Sequence, residues 1–138
     1  MRYLAVPLIA LAVSSCTNAP PPGPMAMAPG DQARPAALTA GKVAGPPTSC
    51  LPNYRADDMI VIDENVIAFR DNARRVYINH MRGGGCLGLD GGRNALVTRS
   101  PTGRLCSGDI AQVLDTSSRI MMGSCVFGDF VPFTAPGA

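Results

Sequence analysis

Apolar positions along this chain fall into short, strand-sized clusters separated by turn-forming residues. Met59-Ile60-Val61-Ile62 is apolar and largely β-branched, Asp63-Glu64-Asn65 interrupts it, and Val66-Ile67-Ala68-Phe69 resumes it. Asp71-Asn72 marks the next turn, and Arg75-Val76-Tyr77-Ile78-Asn79 then alternates polar and apolar with period two, the pattern of a strand with two unlike faces. Leu96-Val97-Thr98-Arg99 leads into Ser100-Pro101-Thr102-Gly103, with Pro and Gly at positions a β-turn favours. Leu105-Cys106, Asp109 to Leu114, Ile120-Met121-Met122 and Val126 to Phe133 complete the series, with Asp115-Thr116-Ser117-Ser118 as a further turn. About seven short strands at this spacing predict a mostly β fold, a small antiparallel sandwich or open barrel. No long amphipathic helix is patterned within it. A short helical turn is expected near 52–56 or 108–112.

The beginning of the chain has a different pattern. Arg2 precedes an apolar run, Leu4 to Val13, of the length of a signal-peptide core and too short to span a bilayer. Val13-Ser14-Ser15-Cys16 closes it and resembles the lipobox of bacterial lipoproteins, in which the cysteine becomes an acylated N-terminus. A cut after Ala19 instead would put Pro20 directly behind the scissile bond, where its fixed φ and missing N–H suit a protease poorly. The expectation is therefore a signal peptide over 1–15 and lipid attachment at Cys16. More than one acyl chain makes such anchoring stable. Thr17, in place of an acidic residue after the cysteine, favours the outer membrane, facing the periplasm.

Residues 17–49 hold eight prolines among Ala, Gly, Thr and Ser, with no periodic apolar face. Such a stretch buries too little surface to offset its ordering entropy. The expectation is a disordered tether over 16–49, a β domain over 50–133 and a disordered tail over 134–138.

Charge narrows the partners. Within 50–133, nine Arg face nine Asp plus Glu, and aromatic residues are few. That balance carries no basic stripe for nucleic acid. A domain this small is short of core and often needs covalent staples. Besides Cys16, four cysteines remain: Cys50, Cys86, Cys106 and Cys125. An even set in an exported chain predicts two disulfides. Of the three connectivities, Cys86–Cys106 with Cys50–Cys125 is expected, one tying a hairpin and the other closing the domain's ends. A Cys₄ metal site is not expected, because no pair has CxxC spacing, and no cofactor is implied.

Candidate chemistry is sparse. Gly83-Gly84-Gly85-Cys86-Leu87-Gly88 formally satisfies GxGxxG, but a nucleotide loop needs a strand before it and a helix after it. A surface loop is expected instead. His80 is the one histidine, placed just past a strand. Asp57-Asp58 and Asp63-Glu64 read as turn and cap residues, since adjacent strand positions point to opposite faces. Asp109 reads as a structural carboxylate bonding backbone amides. Tyr77 with Asn79 reads as a surface pair or the lining of a shallow site.

Several blocks together resemble a family of small exported proteobacterial proteins built on a domain of unknown function. They are Val61 to Phe69, Val76-Tyr77-Ile78-Asn79, Cys86-Leu87-Gly88-Leu89, Arg104 to Ile110 and Cys125 to Pro132. The most specific elements are the Ile-Asp-x-x-x-Ile-x-Phe hairpin at 62–69 and Leu-Cys-x-x-Asp at 105–109. The resemblance implies an exported, cysteine-containing domain and carries over no catalytic residue. Two functions fit. One is a non-enzymatic envelope module binding a protein or glycan partner while a lipid anchor holds it to the membrane. The alternative is a small periplasmic hydrolase using Asp109 or His80.

Overall fold

The computed structural model describes residues 33–89 and 92–137; the leader and Cys16 lie outside the described residues. The fold is mostly β, two antiparallel sheets not closed into a barrel. The larger sheet has the order β1-β8-β4-β3-β2, from Val43–Ala44 (β1), Met59–Val61 (β2), Val66–Asn72 (β3), Arg75–His80 (β4) and Phe130–Thr134 (β8). The smaller has the order β5-β6-β7, from Asn94–Thr98 (β5), Ile110–Asp115 (β6) and Met121–Val126 (β7).

β3 and β4 are buried on both faces, with alternate residues going to different clusters. Ile67 and Phe69 on β3 and Tyr77 on β4 enter a core shared with Ala111, Val113, Cys125, Phe127 and Phe130. The intervening Val66, Ala68, Val76 and Ile78 form a second cluster on the other face of the same sheet. Register keeps the two sets apart, because Ala68 pairs with Ile78 and Phe69 with Tyr77, and directly opposed residues share a face. Aromatic rings dominate the inter-sheet core. Phe69 lies 5.7 Å from Phe130 and 6.1 Å from Phe127, centroid to centroid, and each such pair adds roughly 1 kcal/mol beyond area burial.

The second cluster is roofed in part by a short helix, Ala33–Thr39 (α1), whose Leu38 packs against it. The tether expectation is therefore corrected at its C-terminal end. Residues 33–39 are helical, and Val43 and Ala44 pair with Thr134 and Phe133 of β8. Proline did not prevent this. Pro35 sits in the first turn of α1, where its missing N–H has no helical partner to lose, and β1 is a two-residue edge strand. The domain begins before Cys50, and it ends later than expected: Thr134 belongs to β8, and the Ala135 amide donates to the Arg74 carbonyl at 2.9 Å.

Turn chemistry matches the residues. Asp63 Oδ1 accepts from the amides of Asn65 and Val66 at 2.6 and 2.7 Å. Asn72 Oδ1 does the same for Arg74 and Arg75, so the turn falls after Asn72 and not at Asp71-Asn72. The helical turn expected near 52–56 appears as a 3₁₀ helix at Ala56–Asp58. The alternative at 108–112 is overturned, since β6 begins at Ile110.

The disulfide pairing is corrected. Cys50 bonds Cys106 and Cys86 bonds Cys125, with Cα separations of 4.0 and 4.9 Å. The expected hairpin between Cys86 and Cys106 does not exist, because β4 and β5 belong to different sheets. Cys50 and Cys106 instead face each other in an antiparallel bridge, flanked by Leu51 N–H to Leu105 O and Ser107 N–H to Ser49 O. The sequence separations of 56 and 39 residues correspond to about 4 kcal/mol each in the loop-entropy account.

Candidate functional site

The expected site residues are not brought together. Asp109 sits just before β6, with Oδ2 accepting from the Cys106 amide at 2.8 Å. It is half-buried and holds its own turn closed, as a capping carboxylate does. His80 ends β4, exposed, opposite Val66 on the outer side of the larger sheet. Asp109 precedes a strand of the smaller sheet and His80 ends one of the larger, and among the described residues no hydrogen bond or ion pair joins them.

Tyr77 and Asn79 are corrected from a surface pair or shallow site to core. Asn79 is fully buried. Its Nδ2 donates to the Gly128 carbonyl at 2.7 Å and to the Asp129 carbonyl at 3.3 Å, and the Gly128 amide donates to its Oδ1 at 3.3 Å. A buried amide satisfied on both ends pins the chain between β7 and β8 to β4.

The glycine-rich segment is a loop without a following helix. Gly83, Gly84 and Gly85 all have positive φ. A side chain at Gly85 would collide with Asn65 and the Glu64 carbonyl, so the loop is pressed onto the turn before β3. Glu64 holds it there, its Oε1 accepting from the Gly88 amide at 2.7 Å and its carbonyl from the Cys86 amide at 2.6 Å. Glu64 reads as a turn residue from sequence; its partner lies 24 residues away, beyond the reach of local patterning.

What remains is a surface. On the smaller sheet, Leu96, Ala111, Val113 and Cys125 face inward. Register places Ala95 opposite Leu114, Val97 opposite Gln112, Ile110 opposite Val126 and Leu114 opposite Met121. These residues share the outer face, which is apolar except for Gln112 and Ser124. Among the described residues no element pairs or packs over it. Ile110 is 59% exposed and Met121 48%. Met122 is the extra residue of a bulge, having no partner opposite it on β6. A shallow cleft of about 420 Å³ opens on this face, lined by Val97, Arg99, Pro101, Asp109, Ile110 and Gln112.

A second cleft, of about 480 Å³, lies between α1 and the β3–β4 hairpin. Its charges are largely engaged: Lys42 Nζ donates to the Leu38 carbonyl at 2.8 Å, Asp58 lies 3.7 Å from Arg55, and Asp71 lies 3.8 Å from Arg75. Among the described residues, Arg70 is the one of these charges without a polar partner. The outer face of β5-β6-β7 is thus the best candidate. Sequence reasoning missed it, although a signal existed: Ile110-Ala111-Gln112-Val113-Leu114 is apolar on both parities except at Gln112. Compared with protein-family models, curated proteins and solved structures, the chain matches none.

Proposed function

We propose that this chain is a cell-envelope lipoprotein, held to a membrane through Cys16, whose β domain is a non-enzymatic module that binds a partner on the outer face of β5-β6-β7. The observation that carries the binding reading is the apolar character of that face, over which no described element packs, in a domain whose other sheet is covered on one side by the smaller sheet and in part on the other by α1. Isolated exposed apolar residues are ordinary, but a contiguous patch on a rigid sheet marks an interaction surface. The lipobox-like Val13-Ser14-Ser15-Cys16 and two disulfides support an oxidising compartment. The resemblance to exported proteobacterial proteins agrees with that placement. The outer membrane, facing the periplasm, is the proposed address.

Two measurements test it. Cys16→Ala moves the protein from the membrane to the soluble periplasmic fraction; retention on membranes, with no lipid on the unsubstituted chain by intact mass, removes the anchor from the reading. A photo-crosslinking residue at Gln112, centred on the face, gives a discrete adduct in intact cells, whereas the same residue at Arg74, on the β3–β4 turn, does not. No adduct at Gln112, or equal adducts at both, ends the binding reading.

A further inference from the structure

The open face carries its charge at its two ends. Arg99 continues β5 on the same parity as Ala95 and Val97, and it lines the cleft beside Ile110. Arg119 lies in the β6–β7 turn at the opposite end, exposed and with φ of 59°. Neither guanidinium has a polar partner among the described residues. Two carboxylates lie nearby and neither takes that role. Asp109 accepts the Cys106 amide, and Asp115 Oδ1 accepts the Ser117 and Ser118 amides at 2.8 and 2.9 Å. Each is committed to its own turn, Asp115 also facing Arg93, so that among the described residues Arg99 and Arg119 border the apolar strip without a carboxylate of their own.

The dimensions select an occupant. β6 covers six residues, Ile110–Asp115, so the strip runs about 17 Å at the rise of an antiparallel strand. Three turns of α-helix cover about 16 Å. We propose that this face receives an amphipathic helical segment of a protein partner, apolar along its middle and carrying carboxylates at both ends. This rests on the binding-module reading above and specifies the chemistry of its partner. Larger and smaller sheets are then treated alike: α1 lays Leu38 on the outer face of one, and a partner helix lies on the other. Guanidinium–carboxylate pairs, forked and charge-assisted, fix orientation at each end.

Magnitudes separate this from a bilayer. An anionic membrane rewards clusters of four to eight basic residues at roughly 1 kcal/mol each, and here three arginines, Arg93, Arg99 and Arg119, share the face and its ends with the carboxylates of Asp109 and Asp115. The route of the chain agrees. It enters the described structure at Ala33 of α1, on the outer side of the larger sheet, across the two-sheet stack from the open face.

The test uses two synthetic 14-residue helical peptides with the same leucine stripe, one ending in glutamates and the other in lysines. Fluorescence anisotropy is read at low salt on the oxidised full chain. The glutamate peptide is expected to bind at least tenfold more tightly than the lysine peptide. Arg99→Glu with Arg119→Glu inverts the preference, and Ile110→Glu removes binding of both, with unchanged circular dichroism and both disulfides intact. Equal affinity for the two peptides, or a preference that the double variant leaves in place, overturns the proposal. So does binding to vesicles of anionic phospholipid that the double variant abolishes while the glutamate peptide fails to bind. A Gln112 adduct in cells combined with no peptide preference defeats this partner chemistry and leaves the binding module standing.

Discussion

The two sheets of this domain are built from similar residues and end in different states. In β3 both side-chain parities are apolar, and both faces of β3 and β4 are buried: one against the smaller sheet, the other under Leu38 of α1 and beside Ile60 and Phe133 of the neighbouring strands. In β6 both parities are also largely apolar, yet only Ala111 and Val113 are buried, while Ile110 is 59% exposed. Apolar composition on both faces therefore does not decide burial; what the rest of the chain lays over the sheet does. The smaller sheet is left with one face to spare, and that surplus is what makes it a candidate interface.

The largest effect expected concerns how the sheets are joined. Both disulfides link the strands and loops of one sheet to those of the other, Cys86 after β4 to Cys125 on β7, and Cys50 beside β8 to Cys106 before β6. Cys86→Ser with Cys125→Ser should cost about 4 kcal/mol in chemical denaturation, and native-state hydrogen exchange should show β5-β6-β7 losing protection before β3 and β4. Peptide mapping should recover Cys50–Cys106 and Cys86–Cys125 with no free thiol at these four positions. Stability indifferent to reductant would remove the staples from the comparison.

Paired truncations sharpen it next. Ile78→Ala, in the covered outer cluster of the larger sheet, should cost about 3 kcal/mol, the usual range for removing a buried aliphatic side chain. Leu114→Ala, half-buried on the open face of the smaller, should cost clearly less, about 1 kcal/mol, because part of that side chain is already in water. Equal losses at the two positions would mean that the open face is covered in solution.

The strands themselves were legible because each is short, apolar and bounded by Asp, Asn, Gly or Pro. Asp63 and Asp109 were legible as caps, since a carboxylate beside its own turn needs no distant partner. The failures all involve long-range geometry. Cysteine pairing depends on which sheet each strand joins, and nothing near Cys86 or Cys106 encodes that. Asn79 reads as the polar member of an alternating strand, but its partners at 128 and 129 turn it into a buried clasp. Arg99 and Ile110, at one end of the candidate face, became visible only when register placed them on one side of the sheet.

The tether offers a smaller test. Deleting residues 33–47 removes α1 and β1 and leaves Cys50 in place. It uncovers the side of Leu38's cluster, and a loss of about 2 kcal/mol is expected, the transfer value of roughly one buried aliphatic side chain. Thermal unfolding of the truncated and full chains reads it directly. An unchanged melting temperature would mean that the larger sheet does not need its cover, and the contrast between the two sheets would narrow accordingly.

The smallest effect is confined to the turn that ends the open sheet. The Ser118 and Ser117 amides, donating to Asp115 Oδ1, hold its carboxyl below the usual carboxylate range. A carboxylate whose pKa is depressed by folding adds stability above its unfolded value. That contribution fades as the pH falls through the folded one. Asp115→Ala should therefore lower stability by a constant amount from neutral to mildly acidic pH. The gap between variant and wild type should close as the pH drops below the ordinary carboxylate range. Because the group is solvated, the effect is local: exchange of the β6 and β7 amides nearest the turn should quicken, with β3 and β4 unaltered. A gap that widened as the pH fell would contradict the sign of the coupling. Exchange that quickened equally in β3 and β4 would show that the two sheets unfold as one unit, and the open face would then lack the independent edge that distinguishes it from the covered one.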